Sequence, residues 1–508
     1  MTPPLLLGVD LGTRAARATL YASDGTPHGS GAAEYDYTLP QPGWAEQNTA
    51  EVWEAFVSAV RRALAAGGPT AASRVKSLVI SGTAVTLLTC DAEGEPLAPA
   101  LLWMDTRAFR EADEMTALAS PWQQYTGGHI SPEWMLPKAI WLKRHAADLY
   151  QRTAWLCEQT DWITHRLTGV RAHSLCTASA EWCYASPLGG WPLELFETLG
   201  LADLPQRLAP LILPPGAVVG PLRPEAAASL GLPPEVLVGQ GLMDSYAAAL
   251  GLDVLAPGRV SISLGTSSAY LALAAAPHFD PALLGPVPDA FGLGTWALQG
   301  GQTSAAALVG WFAEQLAADA SFAELDAAAA AIQPGANGLM ALDCWQGSRT
   351  PHRDPLARGA FWGLHLGHTR AHLYRALLEA IAYGGRQVLE RLAGAGADVT
   401  EPWICGGGTR SRLLLQIHAD VFGRRLVLPQ QTEAATLGSA LCAAVAAGLW
   451  PDLRTAGQQM VQAGERIEPD LSAHSRYNAL YAEYQGGYPM LRDSLHRLAR
   501  STQAAPTS

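Results

Sequence analysis

The feature that most constrains the fold of this chain is a short strand–turn–strand pattern that occurs twice. Near the start, the apolar run Leu5–Val9 leads into Asp10-Leu-Gly-Thr13, and a second apolar stretch follows. About 250 residues later, Val260–Leu264 leads into Gly265-Thr-Ser-Ser268 and then into Ala269–Leu273. A repeat at this distance predicts a duplicated domain in which each copy opens with a β-hairpin.

Length and element pattern predict two α/β domains. The chain has 508 residues, and a domain takes about 100–200. Helical periodicity, as in Ala50–Ala66 and His372–Leu392, is mixed with strand-like runs, as in Val75–Ile80. The turn Ala256-Pro-Gly258 lies near the middle. We therefore predict an N-terminal domain at 1–252, a C-terminal domain at 253–500 and a polar tail at 501–508.

Composition excludes several classes of function. The formal net charge of -12 offers no broad cationic surface for nucleic acid. The seven cysteines are scattered without a CxxC pair, and the 13 histidines show no HExxH spacing, so neither a disulfide framework nor a zinc site is expected. The first residues lack a basic n-region and a long apolar run. These features predict a cytoplasmic protein without a membrane segment and with a small-molecule ligand.

The paired Gly-Thr turns are the first candidates for chemistry. Gly12 and Gly265 allow a tight turn whose backbone amides can bind an anion, and Thr13 and Thr266 each add a hydroxyl. Asp10 ends the first strand, where a carboxylate can hold Mg²⁺ through water. The alternative for a single copy is an ordinary hairpin turn. Two matched copies favour phosphate binding.

Asp244 is the second candidate. It follows the glycine-containing stretch that begins at Gly239 and precedes the small apolar run Ala247–Leu250. A carboxylate in this place can act as a general base. The alternative is a helix N-cap, which aspartate supplies very often, and the local pattern alone favours the cap.

A glycine turn near the C-terminus is the third candidate. Gly406-Gly-Gly408 follows Trp403-Ile404 and precedes the helical stretch Leu413–Val421. A nucleotide can lie against bare backbone at such a strand–turn–helix junction. A flexible loop is the alternative, and GxxxxGK[ST] does not occur, so a Walker-type loop is excluded.

Taken together, these segments resemble the FGGY carbohydrate kinases of the actin/hexokinase-like ATPase superfamily. The resemblance spans nearly the whole chain and keeps the family order. The most specific part is Gly359-Ala-Phe-Trp-Gly-Leu364 followed by His372-Leu-Tyr-Arg-Ala-Leu-Leu-Glu379, which fits the family's C-terminal signature. The other matching segments are Pro42–Gln47, Trp103–Arg107, Asp161–Gly169 and, only in part, Pro137–Leu142.

The resemblance implies two RNase H-like domains around a central cleft and transfer of the ATP γ-phosphoryl group to a sugar hydroxyl. It implies ATP and Mg²⁺ as cofactors, with Asp10 orienting the metal and Asp244 taking the hydroxyl proton. The phosphate-binding candidates are Gly12, Thr13, Arg14, Gly265 and Thr266. The nucleotide-binding candidates are Gly406, Gly407, Gly408 and Ser411. The substrate-binding candidates are Thr83, Ala84, Asp105, Glu181, Asp244 and Gln299.

Within the family, the chain is most similar to the ribulokinase-like branch, which phosphorylates ketopentoses. The similar segments are Tyr125–Gly128, Ser131–Lys138, Ser174–Thr177 and Gly300–Thr303. Two positions depart from that branch, since Glu181 replaces a lysine and Gln299 replaces a glutamate. Buried hydrogen-bonding groups discriminate strongly between substrates, so these departures bear on which sugar is accepted.

The expected activity is therefore phosphorylation of a ketopentose, with D-ribulose first and xylulose or another sugar or polyol as alternatives. A non-catalytic sugar or nucleotide sensor and a polymerising actin-like ATPase are the rivals from other classes. A homodimer is compatible with the sequence.

Overall fold

The computed structural model describes residues 3–503 and divides the chain into two compact units. Unit 1 comprises Met1–Ala256, Leu273–Ala297 and Glu433–Gln462, and unit 2 comprises Pro257–Ala272, Leu298–Thr432 and Ala463–Ser508. The chain first passes from unit 1 to unit 2 after Ala256, close to the boundary expected after residue 252. The segments 273–297 and 433–462 also belong to unit 1.

The strands mostly alternate with helices along the chain. The strands are β1 (Leu5–Leu11), β2 (Ala15–Ala22), β3 (Pro27–Glu34), β4 (Glu46–Gln47), β5 (Val75–Gly82), β6 (Leu87–Cys90), β7 (Ala100–Leu101), β8 (Trp155–Glu158), β9 (Ala172–Ser174), β10 (Leu211–Leu213), β11 (Val218–Pro221), β12 (Leu237–Gly239), β13 (Arg259–Leu264), β14 (Ser268–Ala274), β15 (Leu284–Pro288), β16 (Trp296–Gln302), β17 (Met340–Leu342), β18 (Ala360–Trp362), β19 (Glu401–Cys405), β20 (Leu426–Pro429) and β21 (Ala463–Ile467).

The helices are α1 (Thr49–Ala66), α2 (Ala71–Arg74), α3 (Phe109–Ala117), α4 (Met135–His145), α5 (Ala147–Arg152), α6 (Gln159–Thr168), α7 (Leu175–Glu181), α8 (Leu193–Thr198), α9 (Pro224–Leu230), α10 (Asp244–Gly251), α11 (Ala306–Leu316), α12 (Phe322–Ala330), α13 (Arg370–Gly394), α14 (Arg412–Phe422), α15 (Ala434–Ala446), α16 (Leu453–Met460) and α17 (Leu471–Gln503). Short 3₁₀ turns cover Pro121–Thr126, Ser186–Leu188, Leu204–Arg207, Ala336–Gly338 and Gly407–Arg410.

Unit 1 is built on a six-stranded sheet with the order β11-β12-β5-β1-β2-β3. Strand β1 pairs with β2 in antiparallel and with β5 in parallel orientation, and β12 is parallel to β5. All seven residues of β1 are buried. A strand covered on both faces takes a nearly continuous apolar sequence, which explains the run Leu5–Val9.

Helix α15 covers β1, and this packing brings 433–462 into unit 1. A side chain on Gly8 of β1 would lie 1.9 Å from the Thr436 carbonyl oxygen, so the helix backbone contacts the strand directly. The Ser439 hydroxyl donates to the Val9 carbonyl over 3.1 Å. Chain order alone does not reveal this return of the chain, because the alanine-rich sequence of α15 fits many buried environments.

Unit 2 is built on a sheet in which β16-β14-β13-β19-β20-β21 are neighbours in that order. Strand β13 pairs with β14 in antiparallel and with β19 in parallel orientation, as β1 does with β2 and β5. The predicted repeat of the opening hairpin is thus confirmed. Helices α13 and α17 are joined by a buried network in which Arg375 contacts both Glu379 and the Tyr477 hydroxyl.

The mixed α/β class is confirmed, as are the helices expected near 50–66, 372–392 and 413–421. The sequence pattern of 137–149 predicts a single helix, and this prediction is wrong, because Ala146, at φ -135°, separates α4 from α5. Helix α17 reaches Gln503, so part of the expected tail is helical, and 504–508 lie outside the described residues. None of the helices within residues 3–503 has the length and apolarity that crossing a membrane demands.

Candidate active site

In unit 1, the candidate residues follow the carboxyl ends of three parallel strands. Asp10 is the next-to-last residue of β1, Thr83 follows β5, and Asp244 follows β12 after a short connection. Met243 forms a parallel bridge with Gly82, and the Thr83 amide donates to the Leu11 carbonyl over 3.1 Å. Ligands of open α/β sheets bind at this edge.

The first Gly-Thr corner is held by surrounding side chains. The Gly12 amide donates to the Ala15 carbonyl over 3.0 Å, which closes the turn. The Trp103 indole donates to the Thr13 hydroxyl over 3.0 Å. The side-chain amide of Gln47 donates to the Thr13 carbonyl over 3.1 Å. Arg14 is exposed beside the corner. The turn is therefore rigid, with an exposed cation next to it.

Asp10 lies in a nearly enclosed place in β1. The Ser81 hydroxyl donates to one of its carboxylate oxygens over 3.2 Å, and the Arg17 guanidinium lies 3.6 Å from the other. Burial raises the pKa of Asp10 to about 6, although the Arg17 charge and the Ser81 hydrogen bond lower it. A second cation beside Asp10 would offset the cost of burying the negative charge of its carboxylate. Mg²⁺ is typically held by one or two carboxylates, so this environment fits a Mg²⁺ site.

Asp244 is the first residue of α10, and it does not occupy the cap position, which belongs to Met243. Its side chain accepts a hydrogen bond of 2.6 Å from the Ser245 amide. Burial and then the negative charge of Asp10 raise the pKa of Asp244 to about 7, although the hydrogen bond from the Ser245 amide lowers it. A carboxylate with a pKa near neutrality is well matched to general-base catalysis.

A buried polar cluster lies beside the loop that follows β5. Glu158 accepts from the Thr86 amide over 3.0 Å and from the Trp182 indole over 2.7 Å. Burial raises the pKa of Glu158 to about 8. Lys138 is fully enclosed and donates to the Val85 and Leu102 carbonyls over 2.9 and 2.7 Å. Motif reasoning did not assign roles to Glu158 or Lys138, and a lysine within the apolar run of α4 was the available signal.

Three predicted substrate residues lie near this cluster. The Thr83 and Thr86 hydroxyls are 3.2 Å apart, and Ala84 lies between them in the same loop. Glu181 ends α7, next to Trp182. These positions are compatible with contacts to a bound sugar.

Asp105 has a different environment. It is fully buried, and its oxygens accept from the Ala45 amide over 2.7 Å and from the Arg107 guanidinium over 2.7–3.0 Å. Both oxygens are thus engaged within the protein. This geometry favours a structural role for Asp105 over the substrate contact predicted from the sequence.

In unit 2, the second Gly-Thr corner follows the carboxyl end of β13, as the first corner follows the carboxyl end of β1. The Gly265 amide donates to the Ser267 carbonyl over 3.0 Å, and the Gly265 carbonyl accepts from the Ala306 amide at the start of α11 over 3.0 Å. Thr266 is exposed. Gln299 lies half-buried in β16 of the same unit.

The glycine turn follows β19, which is parallel to β13. Gly406 adopts a φ of +100°, and a side chain at Gly408 would lie 2.6 Å from Leu264. Gly407 has no neighbouring atom within 4 Å of an added side chain. Gly406 is therefore required by its backbone conformation and Gly408 by its packing against Leu264. Gly407 leaves open space beside the backbone, where a ligand could lie.

Ser411 connects this turn to α14. Its hydroxyl accepts from the Leu414 amide over 3.1 Å, as an N-cap, and donates to Asp326 over 2.6 Å. Asp326 also accepts from the Tyr374 hydroxyl over 3.0 Å. The cap thus anchors the glycine turn to α12 and α13.

Replacing Ser411 by alanine is expected to destabilise the protein by about 1 kcal/mol, because α14 loses its N-cap. If the turn binds nucleotide, KM for ATP should rise while KM for the sugar stays unchanged. Steady-state kinetics with each substrate varied in turn, together with thermal unfolding, measures both effects. Ser321→Ala is the control, since the Ser321 hydroxyl also accepts from the third backbone amide of its helix, α12, and its loss should change stability alone. Equal ATP kinetics in both variants would contradict the assignment.

Comparison with known proteins identifies the family. The FGGY family of carbohydrate kinases matches over both of its parts, the N-terminal domain at residues 5–251 and the C-terminal domain at residues 260–447. A match of this extent identifies the class of protein as a carbohydrate kinase. The chain belongs to the FGGY family.

Individual relatives cover nearly the whole chain. It is 32% identical to a ribulokinase of Geobacillus thermodenitrificans over 94% of this chain and 93% of that protein. It is 29% identical to the human FGGY carbohydrate kinase domain-containing protein, with 94% of each chain covered. The solved structure of a xylulose kinase from Rhodospirillum rubrum is similar at a TM-score of 0.87 and 29% identity, covering 97% of this chain and 100% of that chain.

Proposed function

We propose that this protein transfers the γ-phosphoryl group of ATP to a ketopentose, with D-ribulose as the first candidate and D-ribulose 5-phosphate as its product. The observation that carries the proposal is the position of Asp244, a buried carboxyl group that follows the carboxyl end of β12, in the set of parallel strands β1, β5 and β12 to which Asp10 also belongs. Its pKa, raised to about 7, supports the assignment. Transfer of a phosphoryl group needs positioned groups and charge neutralisation more than covalent chemistry.

Asp244 is proposed to take the proton of the sugar hydroxyl as that oxygen attacks the γ-phosphorus and the bond from this phosphorus to the β–γ bridging oxygen breaks, which releases ADP. The released proton stays on the carboxyl group, which its raised pKa permits. Thr83, Ala84 and Glu181 of unit 1 are proposed as sugar-binding residues, and Gln299 is proposed for the same role in unit 2. Asp105 is engaged by the Ala45 amide and the Arg107 guanidinium instead.

Each Gly-Thr corner is proposed to be a phosphate-binding element of its own unit. Gly12, Thr13 and Arg14 in unit 1 and Gly265 and Thr266 in unit 2 offer amides, hydroxyls and a cation to phosphate oxygens. Gly406, Gly407, Gly408 and Ser411 border the adenosine. Asp10 would hold Mg²⁺, which neutralises phosphate charge when it is bound.

The ketopentose assignment is supported by the relatives named ribulokinase, at 30–32% identity over nearly their full length. The second candidate is xylulose. It is favoured by the structural similarity to kinases named for that sugar, from Brucella ovis and Rhodospirillum rubrum, at 29–30% identity.

An ADP-release assay with a panel of sugars is expected to give its highest kcat/KM with D-ribulose. The panel holds D-ribulose, L-ribulose, D-xylulose, L-xylulose, a hexulose and glycerol, with ATP and Mg²⁺ present throughout. A maximum at a xylulose would move the assignment to the second candidate. Sugar binding without sugar-dependent ADP release would contradict the kinase and support a sensor.

A further inference from the structure

The short segment that leads to Asp244 has no regular secondary structure of its own. Residues 240–242 lie between the end of β12 and the bridge that Met243 forms with β5, and α10 begins only at Asp244. An added side chain at Gly241 would lie 1.8 Å from the Ile80 carbonyl oxygen, so the segment is packed directly against β5. The position of Asp244 therefore depends on the contacts that other elements make with this segment.

Ser174 makes one of these contacts from the end of β9. Its hydroxyl is buried and donates to the Gly241 carbonyl over 2.7 Å. The serine is itself held in place, because β9 pairs with β10 in parallel orientation. Since 240–242 belong to neither a strand nor a helix, this side-chain donor takes the place of a backbone hydrogen bond at Gly241.

Asp161 makes the second contact from α6. It is completely buried, and its Oδ1 accepts from the side-chain amide of Gln240 over 3.2 Å and from the Ser174 backbone amide over 3.3 Å. Gln240 is buried as well. One carboxylate therefore joins the first residue of the segment to the serine that binds its second residue.

His173 fixes the orientation of this carboxylate. The Ala209 backbone amide donates to His173 Nε2 over 3.1 Å, so that nitrogen carries no proton. The ring proton is therefore on Nδ1, which donates to Asp161 Oδ2 over 3.0 Å. Because the histidine is neutral, the negative charge stays on Asp161 and strengthens the hydrogen bonds that Gln240 and Ser174 donate.

We propose that Ser174 and Asp161 are positioning residues that hold Asp244 where it takes the proton of the sugar hydroxyl. They act through the backbone of Gly241 and the side chain of Gln240, and neither is proposed to touch the sugar or the nucleotide. A general base works only within hydrogen-bond reach of its proton, so the segment before it requires such anchors. This inference rests on the proposed kinase function and adds the residues that position its base.

Ser174→Ala is expected to lower kcat for sugar phosphorylation about 10- to 100-fold, because a displacement of about 1 Å at a reacting group costs up to about 100-fold in rate. KM for ATP and KM for the sugar should stay within about twofold of the wild type. Steady-state ADP release, with the sugar that gives the highest kcat/KM in the panel and each substrate varied in turn, measures the split. A wild-type kcat in this variant would overturn the proposal.

Threonine and valine at position 174 separate the hydrogen bond from the shape of the side chain. The two residues have nearly the same size, but only threonine keeps the hydroxyl, so any crowding by the added methyl groups is common to both. Ser174→Thr should therefore exceed Ser174→Val in kcat by about tenfold or more. Equal kcat in the two variants would overturn the proposal.

Ser77→Ala is the matched control. The Ser77 hydroxyl of β5 is also buried and also donates to a backbone carbonyl, that of Ala443 in α15, over 2.5 Å. Its loss should lower the thermal stability to an extent similar to Ser174→Ala and leave kcat unchanged. An equal fall of kcat in both alanine variants would mean that general loosening of unit 1 lowers the rate, and this would overturn the proposal.

Asp161→Asn tests the second anchor. The new amide nitrogen would face either the Nδ1 proton of His173 or the side-chain amide of Gln240, so donor would meet donor. We expect kcat to fall at least as far as in Ser174→Ala, again with KM for ATP within about twofold, and circular dichroism checks the fold. A wild-type kcat would contradict the role of Asp161.

Hydrogen exchange followed by mass spectrometry, without sugar or ATP, tests the anchoring independently of turnover. Amides in 240–246 should exchange at least about tenfold faster in Ser174→Ala than in the wild type, and at the wild-type rate in Ser77→Ala. Unchanged exchange in Ser174→Ala, in an enzyme whose wild type is active, would overturn this inference alone. A wild type without sugar-dependent ADP release would refute the proposed function and this inference with it.

Discussion

Asp244→Asn is expected to lower kcat for sugar phosphorylation by about 100- to 10,000-fold, the usual contribution of a general base. Asparagine keeps the size of the side chain and can still accept the hydrogen bond from the Ser245 amide. It cannot take a proton from the sugar hydroxyl. Steady-state ADP release with saturating ATP and sugar measures the loss, and circular dichroism checks that the fold is unchanged.

Asp148→Asn is the control for this variant. Asp148 lies in the first turn of α5 in the same unit and is exposed. The same chemical change there should leave kcat unaltered. A near-normal kcat in Asp244→Asn would show that another group accepts the proton, and the proposed mechanism would then have to be abandoned.

The largest expected effect on stability comes from Gly438 in α15. A methyl group at this position would lie 1.8 Å from the Ala247 carbonyl oxygen of α10, closer than any real contact. Neither helix backbone can move away easily, because α15 also lies against β1 at Gly8. Gly438→Ala is expected to lower the free energy of unfolding by about 3 kcal/mol or more.

Denaturant unfolding followed by circular dichroism measures this loss. Gly310→Ala is the control, since Gly310 also lies inside a helix, α11, but has no atom within 4 Å of an added side chain. Alanine there should be neutral or stabilise by up to about 1 kcal/mol, because it favours helical backbone. Equal stability of the two variants would contradict the close packing of α15 against α10.

Much of the fold follows from local patterns. The apolar runs on either side of Gly12 and Gly265 predict both hairpins, because strand, tight turn and strand each leave a local signal. The long helix α13 is predictable from its apolar periodicity. The assignment of α15 to unit 1 is not, because it depends on Gly8 and Gly438 meeting backbone from distant parts of the chain.

The candidate site also contains residues that the sequence predicts and contacts that it does not. Asp10, Asp244 and the glycines stand beside strand and helix ends, where sequence motifs are informative. The contacts of Glu158 with Thr86 and Trp182 join segments far apart in the chain, and no spacing rule predicts them. The same holds for Asp105, whose engagement by Ala45 and Arg107 becomes visible only in three dimensions.

The return of 433–462 to unit 1 has a consequence for biosynthesis. Strands β1 and β5 leave the ribosome early, but the helix that covers them is among the last to be made. Until then the face at Gly8 and Val9 lacks this cover, so we expect β1 to become fully buried only after α15 has been synthesised.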